Sequence, residues 1–228
     1  MLTVDEAAQL IDHSILLPGQ SDNDLEAGIE ICRKYRTKCV VPKAHQAARA
    51  KELLRGSDVR LAIPIGFPQG FNLPEVKRLE AELVLQQGAQ ELDMMINTCA
   101  LKSGDYALVE RDIRGVVEVA ARCGAPVKAI IETDVLTQAE KITAARIAEQ
   151  AGAKFVKTSS GTLPGGATVE DIRLLRSVVG PDVIVKASGH VTDADKFLAL
   201  YDAGARRFGT SYTVIILEGL RTKLVAQG

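Results

Sequence analysis

Gly152-Ala153-Lys154-Phe155-Val156-Lys157-Thr158-Ser159-Ser160-Gly161 reads as the end of one helix, a short buried strand and a polar turn. Gly152 supplies the positive φ that closes a helix, Phe155-Val156 is the apolar run of a strand, and Thr158 to Gly161 have turn chemistry. The same pattern returns in Val183-Ile184-Val185-Lys186-Ala187-Ser188-Gly189, and further Gly-Ala pairs stand at Gly88-Ala89, Gly124-Ala125 and Gly204-Ala205. One βα unit is thus used repeatedly. Working outward, eight runs of β-branched and aliphatic residues are predicted as strands: Leu10–His13, Lys38–Val41, Arg60–Ile65, Glu91–Ile96, Val127–Glu132, Phe155–Thr158, Val183–Lys186 and Arg206–Gly209. Between them, helical periodicity marks Asp22–Lys34, Leu73–Gln87, Leu108–Arg122, Gln138–Ala151, Thr168–Val178 and Asp193–Ala203, with Thr137 and Thr168 as N-caps. Strands alternating with amphipathic helices predict a parallel sheet covered by crossover helices. Eight such units in 228 residues predict a single (β/α)8 TIM barrel over residues 1–228. An open doubly wound sheet is the main alternative, but it would place G-x-G-x-x-G after the first strand, and none occurs.

Composition removes several function classes. With 28 basic and 29 acidic residues mixed along the chain, nothing points to nucleic acid or an anionic membrane. No apolar run approaches the roughly 20 residues of a membrane span, and the N-terminus is acidic, so a cytoplasmic protein is expected. Cys32, Cys39, Cys99 and Cys123 form no C-x-x-C and are expected to be reduced thiols. His13, His45 and His190 are isolated, without the spacing that sets two metal ligands on one face. No metal site is predicted.

Lys157 and Lys186 close adjacent predicted strands, where a charge is unusual. Each ammonium can simply snorkel past its strand end. Strands lie about 4.8 Å apart, however, so the two amines would also sit close enough for repulsion and desolvation to depress a pKa. A neutral amine attacks a carbonyl to give a Schiff base, which acidifies the adjacent C–H while a carboxylate and a second amine move protons. With Asp93 on the fourth strand as the carboxylate, this set describes a metal-free aldolase. Lys128 and Glu132 share a parity on the fifth strand and can face the interior as an ion pair, either orienting the catalytic groups or purely structural. Asp12, at the end of the first strand, can meet substrate or tie its own turn.

Ile11-Asp12-His13-Ser14, Glu91-Leu92-Asp93-Met94-Met95-Ile96-Asn97, Leu101-Lys102-Ser103-Gly104-Asp105-Tyr106, Lys128-Ala129-Ile130-Ile131-Glu132-Thr133, Phe155 to Gly161 and Val185-Lys186-Ala187-Ser188-Gly189 together resemble the deoxyribose-phosphate aldolase family, in order along nearly the whole chain. The resemblance implies that Lys157 forms the Schiff base, that Lys186 lowers its pKa and assists proton transfer, and that Asp93 is the acid/base partner. It implies reversible cleavage of 2-deoxy-D-ribose 5-phosphate to acetaldehyde and D-glyceraldehyde 3-phosphate, with no cofactor. Partners would then be small-molecule aldehydes and sugar phosphates, with a homodimer possible because exposed barrel helices often support one. The candidate substrate-binding set is Asp12, Thr158, Gly161, Gly189, His190, Gly209, Ser211 and Tyr212.

Several positions depart from the family pattern. The family commonly has Gly-Gly where this chain has Gly189-His190, and small hydroxyl residues where it has Ser211-Tyr212. His190 puts a side chain where glycine lets backbone approach a ligand, and Tyr212 puts a ring where a hydroxyl would sit. Leu17 replaces a lysine common in relatives, and Pro164 stiffens the turn Thr162-Leu163-Pro164-Gly165-Gly166. Either these changes alter anion recognition or they are tolerated loop variation. Three readings follow: the aldolase itself, the same chemistry on a different or unphosphorylated acceptor, and a catalytically silent sugar-phosphate binder. Binding alone would not require Lys157, Lys186 and Asp93 together.

Overall fold

The structure, a computed structural model, describes residues 2–225; Met1 and residues 226–228 of the predicted domain lie outside it. Eight parallel strands close on themselves in sequence order, β1 Ile11–Ser14, β2 Cys39–Val41, β3 Arg60–Ile65, β4 Glu91–Met95, β5 Val127–Ile130, β6 Phe155–Lys157, β7 Ile184–Ser188 and β8 Arg207–Thr210. This is the (β/α)8 TIM barrel expected from the repeated units. The register that matters for chemistry sets Lys157 opposite Lys186, Lys186 opposite Arg207 and Asp93 opposite Lys128.

Among the described residues ten α-helices surround the strands: α1 Val4–Ala8, α2 Asp22–Tyr35, α3 Ala47–Leu53, α4 Pro74–Gln86, α5 Thr98–Lys102, α6 Tyr106–Ala121, α7 Gln138–Gln150, α8 Val169–Val178, α9 Ala194–Asp202 and α10 Thr213–Val225. Thr137 and Thr168 cap α7 and α8, accepting hydrogen bonds from Glu140 N and Asp171 N as the sequence suggests. Gly88, Gly124, Gly152 and Gly204 all adopt positive φ at helix ends. Four helices carry weaker signals. α1 and α5 are single turns, α3 has no side-chain cap, and α10 begins with Thr213-Val214-Ile215-Ile216-Leu217, a run without helical periodicity.

The main hydrophobic core lies between strands and helices, where Leu61, Ile63, Leu92, Met94, Val156, Val185 and Phe208 point outward from the barrel. The alternate strand positions face inward. A small separate apolar cluster there joins Cys39, Val41 and Ala62 with Leu16. Beside it and the Phe155 ring runs a column of buried charge, which is unusual because branched aliphatic residues dominate most barrel interiors.

One further charged pair is sealed outside the barrel. Lys77 on α4 donates to Asp112 Oδ2 on α6 at 2.6 Å and to Met95 O at 2.9 Å, with side-chain exposures of 0% and 1% for the pair. Burial pushes Lys77 down and Asp112 up, both toward neutrality. Asp112 Oδ1 has no partner among the described residues. Removing one member leaves the other buried alone, so Asp112→Ala is expected to cost about 3–5 kcal/mol in equilibrium urea unfolding. A loss under about 1 kcal/mol would show that the pair is already neutral in the folded state.

Candidate active site

Seven ionisable side chains from six strands meet inside the barrel. Asp93 on β4 is the hub: Oδ1 accepts from Lys128 Nζ at 2.7 Å, and Oδ2 accepts from Lys186 Nζ at 2.7 Å and Lys157 Nζ at 2.9 Å. Asp12 on β1 accepts from Lys186 through Oδ2 at 2.5 Å and from Arg207 through Oδ1 at 2.8 Å. Glu91, two residues before Asp93 and facing the same way, lies 2.7 Å from Lys128 and 3.1 Å from Arg207. Lys128, Lys157, Lys186 and Arg207 therefore face Asp12, Glu91 and Asp93, four cations against three carboxylates, all nearly or fully buried. The surplus makes one of the four the easiest to deprotonate.

That group is Lys157. Burial, more than any neighbour, disfavours its ammonium; Asp93 opposes the effect and Lys186 reinforces it, leaving a pKa of about 8. The expected repulsion from Lys186 is thus present but secondary to desolvation. For Asp93 burial alone would raise the pKa, but Lys128, Lys157 and Lys186 hold it well below the carboxylate range. Asp12 is depressed in the same way by Lys186, Lys128 and Arg207 against its own burial. Lys128 and Arg207 are raised, because their carboxylates outweigh desolvation.

Above this column, loops at the C-terminal ends of β1, β3, β6, β7 and β8 enclose a pocket of about 470 Å³. Its walls include Ser160, Gly161, Ser188, Gly189, His190, Gly209, Ser211 and Tyr212, with an apolar side of Leu17, Pro18 and Phe67. Among the described residues no protein group accepts from the amides of Gly189, His190 and Ser211. The N-terminus of α10 follows directly after Tyr212, adding unpaired first-turn amides. Such a concentration of N–H donors suits an anion.

The structure brings most of the predicted residues together and reassigns others. Lys157, Lys186 and Asp93 are in mutual contact, and Gly161, Gly189, His190, Ser211 and Tyr212 line the pocket. Asp12 is not at a strand end and ties no turn; it is fully buried mid-strand against Lys186 and Arg207, because inward-facing positions of β1 point at the cationic column. Thr158 faces away from the pocket, its hydroxyl donating to Ser188 O at 2.9 Å and accepting from Ser188 N at 3.0 Å, so it fastens β6 to β7. Gly209 lines the pocket, but a Cβ there would stand 2.7 Å from Ser188 Oγ and 3.3 Å from Lys186 Cε, so its smallness also makes room for the lysine. Lys128 and Glu132 do not pair. β5 ends at Ile130, and Glu132 turns with φ of 56° to accept from Ser160 N, while Lys128 joins Asp93 and Glu91.

His190 keeps φ of 53°, the left-handed backbone that suits a glycine, and its ring meets Leu163 O at 3.0 Å. The backbone path of a Gly-Gly turn is thereby retained at some strain. Sequence reasoning missed Glu91, Arg207 and Phe67. The first two share the inward parity of Asp93 and Gly209, a signal that was available; Phe67 lies in the loop after β3, which has no motif.

Asp12, Cys39 and Glu91 offer donor atoms within 4.8 Å of one another, a geometry that would suit a cation. The Arg207 guanidinium already serves them all, reaching Cys39 Sγ at 3.4 Å as well as both carboxylates. The four cysteines are free thiols. No helix among the described residues is long and apolar enough to cross a membrane.

Fold and site together define a (β/α)8 barrel of the lysine-bearing aldolase class. Residues 7–212 match the DeoC/LacD family aldolase, and the chain belongs to that family. It is 48% identical to a deoxyribose-phosphate aldolase of Streptococcus sanguinis over 92% of this chain and 94% of that one. It is also 48% identical to one of Thermococcus gammatolerans, over 95% of this chain and 97% of that one. The solved deoxyribose-phosphate aldolase of Aeropyrum pernix superposes with a TM-score of 0.91 at 30% identity, covering 98% of this chain and 94% of that one.

Proposed function

We propose that the protein is a deoxyribose-phosphate aldolase that cleaves 2-deoxy-D-ribose 5-phosphate reversibly to acetaldehyde and D-glyceraldehyde 3-phosphate through an imine on Lys157. The observation that carries this is a buried lysine with a pKa of about 8, 2.9 Å from a carboxylate oxygen that a second lysine also holds. Lys157 as free amine adds to the C1 aldehyde of the open-chain sugar, and loss of water gives the iminium. Removal of the C3 hydroxyl proton then breaks the C2–C3 bond, since the two-carbon product keeps C1 and C2. The electron pair passes into the iminium and forms an enamine. Protonation at C2 and hydrolysis release acetaldehyde and restore Lys157. The iminium is the electron sink, so the chemistry calls for no further cofactor.

Asp93, held ionised by three lysines, is the anion that aims Lys157 and Lys186, not an acid at neutral pH. Proton delivery then falls to Lys186 and to water in the pocket. The phosphate would be received by the Gly189, His190 and Ser211 amides and the start of α10.

A second reading, with an unphosphorylated acceptor, is favoured by the apolar side of Leu17, Phe67 and Tyr212. The ratio of kcat/KM for 2-deoxyribose 5-phosphate over 2-deoxyribose separates the two. We expect a ratio of about 10³, equivalent to about 4 kcal/mol of charge-assisted hydrogen bonding. A ratio near one would discard phosphate recognition and leave the second reading standing; His190→Gly with Tyr212→Ser should then raise it.

A further inference from the structure

We infer that Arg207 is a positioning residue for the reaction: from the floor of the barrel it fixes Asp12, and through Asp12 it fixes Lys186 against Asp93. The inference rests on the Schiff-base reading of Lys157. Arg207 is the first residue of β8 and its side chain is 8% exposed. It does not line the substrate pocket.

The guanidinium is held from several sides. Nη1 donates to Asp12 Oδ1 at 2.8 Å, Glu91 Oε2 at 3.1 Å and Cys39 Sγ at 3.4 Å, and the group stacks 5.0 Å from the Phe155 ring centroid. Nη1 alone makes these bonds, so a lysine could keep the charge and the contact with Asp12 while losing the stack on Phe155. With Oδ1 of Asp12 taken by Arg207, only Oδ2 is left for Lys186, and Lys128 stands farther off at 3.6 Å. The two bonds together hold the carboxylate in one orientation. Lys186 therefore keeps its second bond, to Asp93, and competes there with Lys157.

Without Arg207, Asp12 would present both oxygens to Lys186 and Lys128. Lys186 would be drawn toward Asp12, Asp93 would pair more fully with Lys157, and one positive charge would leave the cluster. Each change favours the protonated form of Lys157. The charged groups facing that amine are Asp93 on β4, Lys128 on β5, Lys186 on β7 and Glu132 beyond β5, with Asp12, Glu91 and Arg207 one contact further away. Arg207 is the member of this outer set that bonds both Asp12 and Glu91, so its removal releases two carboxylates at once.

The test is the pH profile of kcat/KM for Arg207→Met and Arg207→Lys, with cooperative thermal unfolding checked for each. In the wild type the rising limb should lie near pH 8, the pKa of Lys157. In Arg207→Met the limb should move up by about one unit, so that the rate falls about tenfold at pH 7 and by less than about threefold at pH 10. KM for the sugar phosphate should change little. Arg207→Lys, which keeps the charge, should hold the limb within about 0.3 unit of the wild type. A merely structural role predicts an equal loss at every pH, and that result, or an unmoved limb in Arg207→Met, overturns the inference.

If Arg207→Met does not fold, Glu91→Gln decides. It frees Arg207, Lys128 and Arg60, whose Nη1 lies 3.3 Å from Glu91 Oε1, from one carboxylate and should move the limb to lower pH; a limb left in place overturns the inference. Borohydride trapping of acetaldehyde on the wild type keeps the two readings apart. No adduct on Lys157 would sink the Schiff-base reading itself, whereas an adduct whose pH dependence is the same in wild type and Arg207→Met would sink only the role of Arg207.

Discussion

Lys157→Met is expected to lower kcat for cleavage by about 10⁴-fold or more while the barrel stays folded. The catalytic loss follows from chemistry. Methionine has no nucleophile, and Lys186, the nearest other amine, is already bonded to both Asp12 and Asp93. The survival of the fold follows from charge. Lys157 is the surplus cation among four that face three carboxylates, and Asp93 keeps Lys128 and Lys186 when it is gone. Because desolvation already depresses Lys157, its removal relieves a buried amine more than it breaks a pair. The variant should therefore unfold thermally at or above the wild-type temperature. Incubation with acetaldehyde and borohydride should leave a reduced two-carbon adduct on the wild-type peptide containing Lys157 and none on the variant. An adduct found on Lys186 in the wild type would reassign the nucleophile.

The barrel was legible in the sequence because its signals are local. Gly152, Gly88, Gly124 and Gly204 each close a helix at the same distance from a short apolar strand, and a strand of three or four residues buried on both sides needs no longer-range information. The proximity of the two lysines at the candidate site was legible for a similar reason: Lys157 and Lys186 stand in the same register of neighbouring strands, so reading the strands correctly brings them together. What lay beyond reach depends on closure. Asp12 looks like a turn residue until β1 pairs with β8 and sets it against Gly209, beside the strand that carries Arg207. Lys128 and Glu132 share a parity, but whether β5 lasts long enough to use it depends on Ser160 reaching back to Glu132. Desolvation, the larger cause of the Lys157 shift, is a property of the whole enclosure and has no sequence motif.

Lys186→Met should cost less than Lys157→Met in trapping and nearly as much in turnover. Lys186 Nζ is held by Asp12 and Asp93. Its loss leaves Asp93 to Lys128 and Lys157, and removes the neighbour whose charge disfavours the Lys157 ammonium. Both effects raise the pKa of Lys157 above its value of about 8. A group needed as free base loses activity as pH falls below its pKa, so the rising limb of kcat/KM should move to higher pH. A rise of 1–2 units would cost about 8- to 80-fold at pH 7.5, and loss of the proton transfer proposed for Lys186 should add about 10²-fold in kcat at every pH. The two contributions are separable, since raising the pH recovers the first and not the second. Borohydride trapping on Lys157 should accordingly return at high pH although turnover does not. Lys186 is also a buried partner of two carboxylates, so the variant should lose about 3–5 kcal/mol of stability, and rates must be taken well below its unfolding temperature. Wild-type turnover with an unmoved limb would reduce Lys186 to a structural counterion.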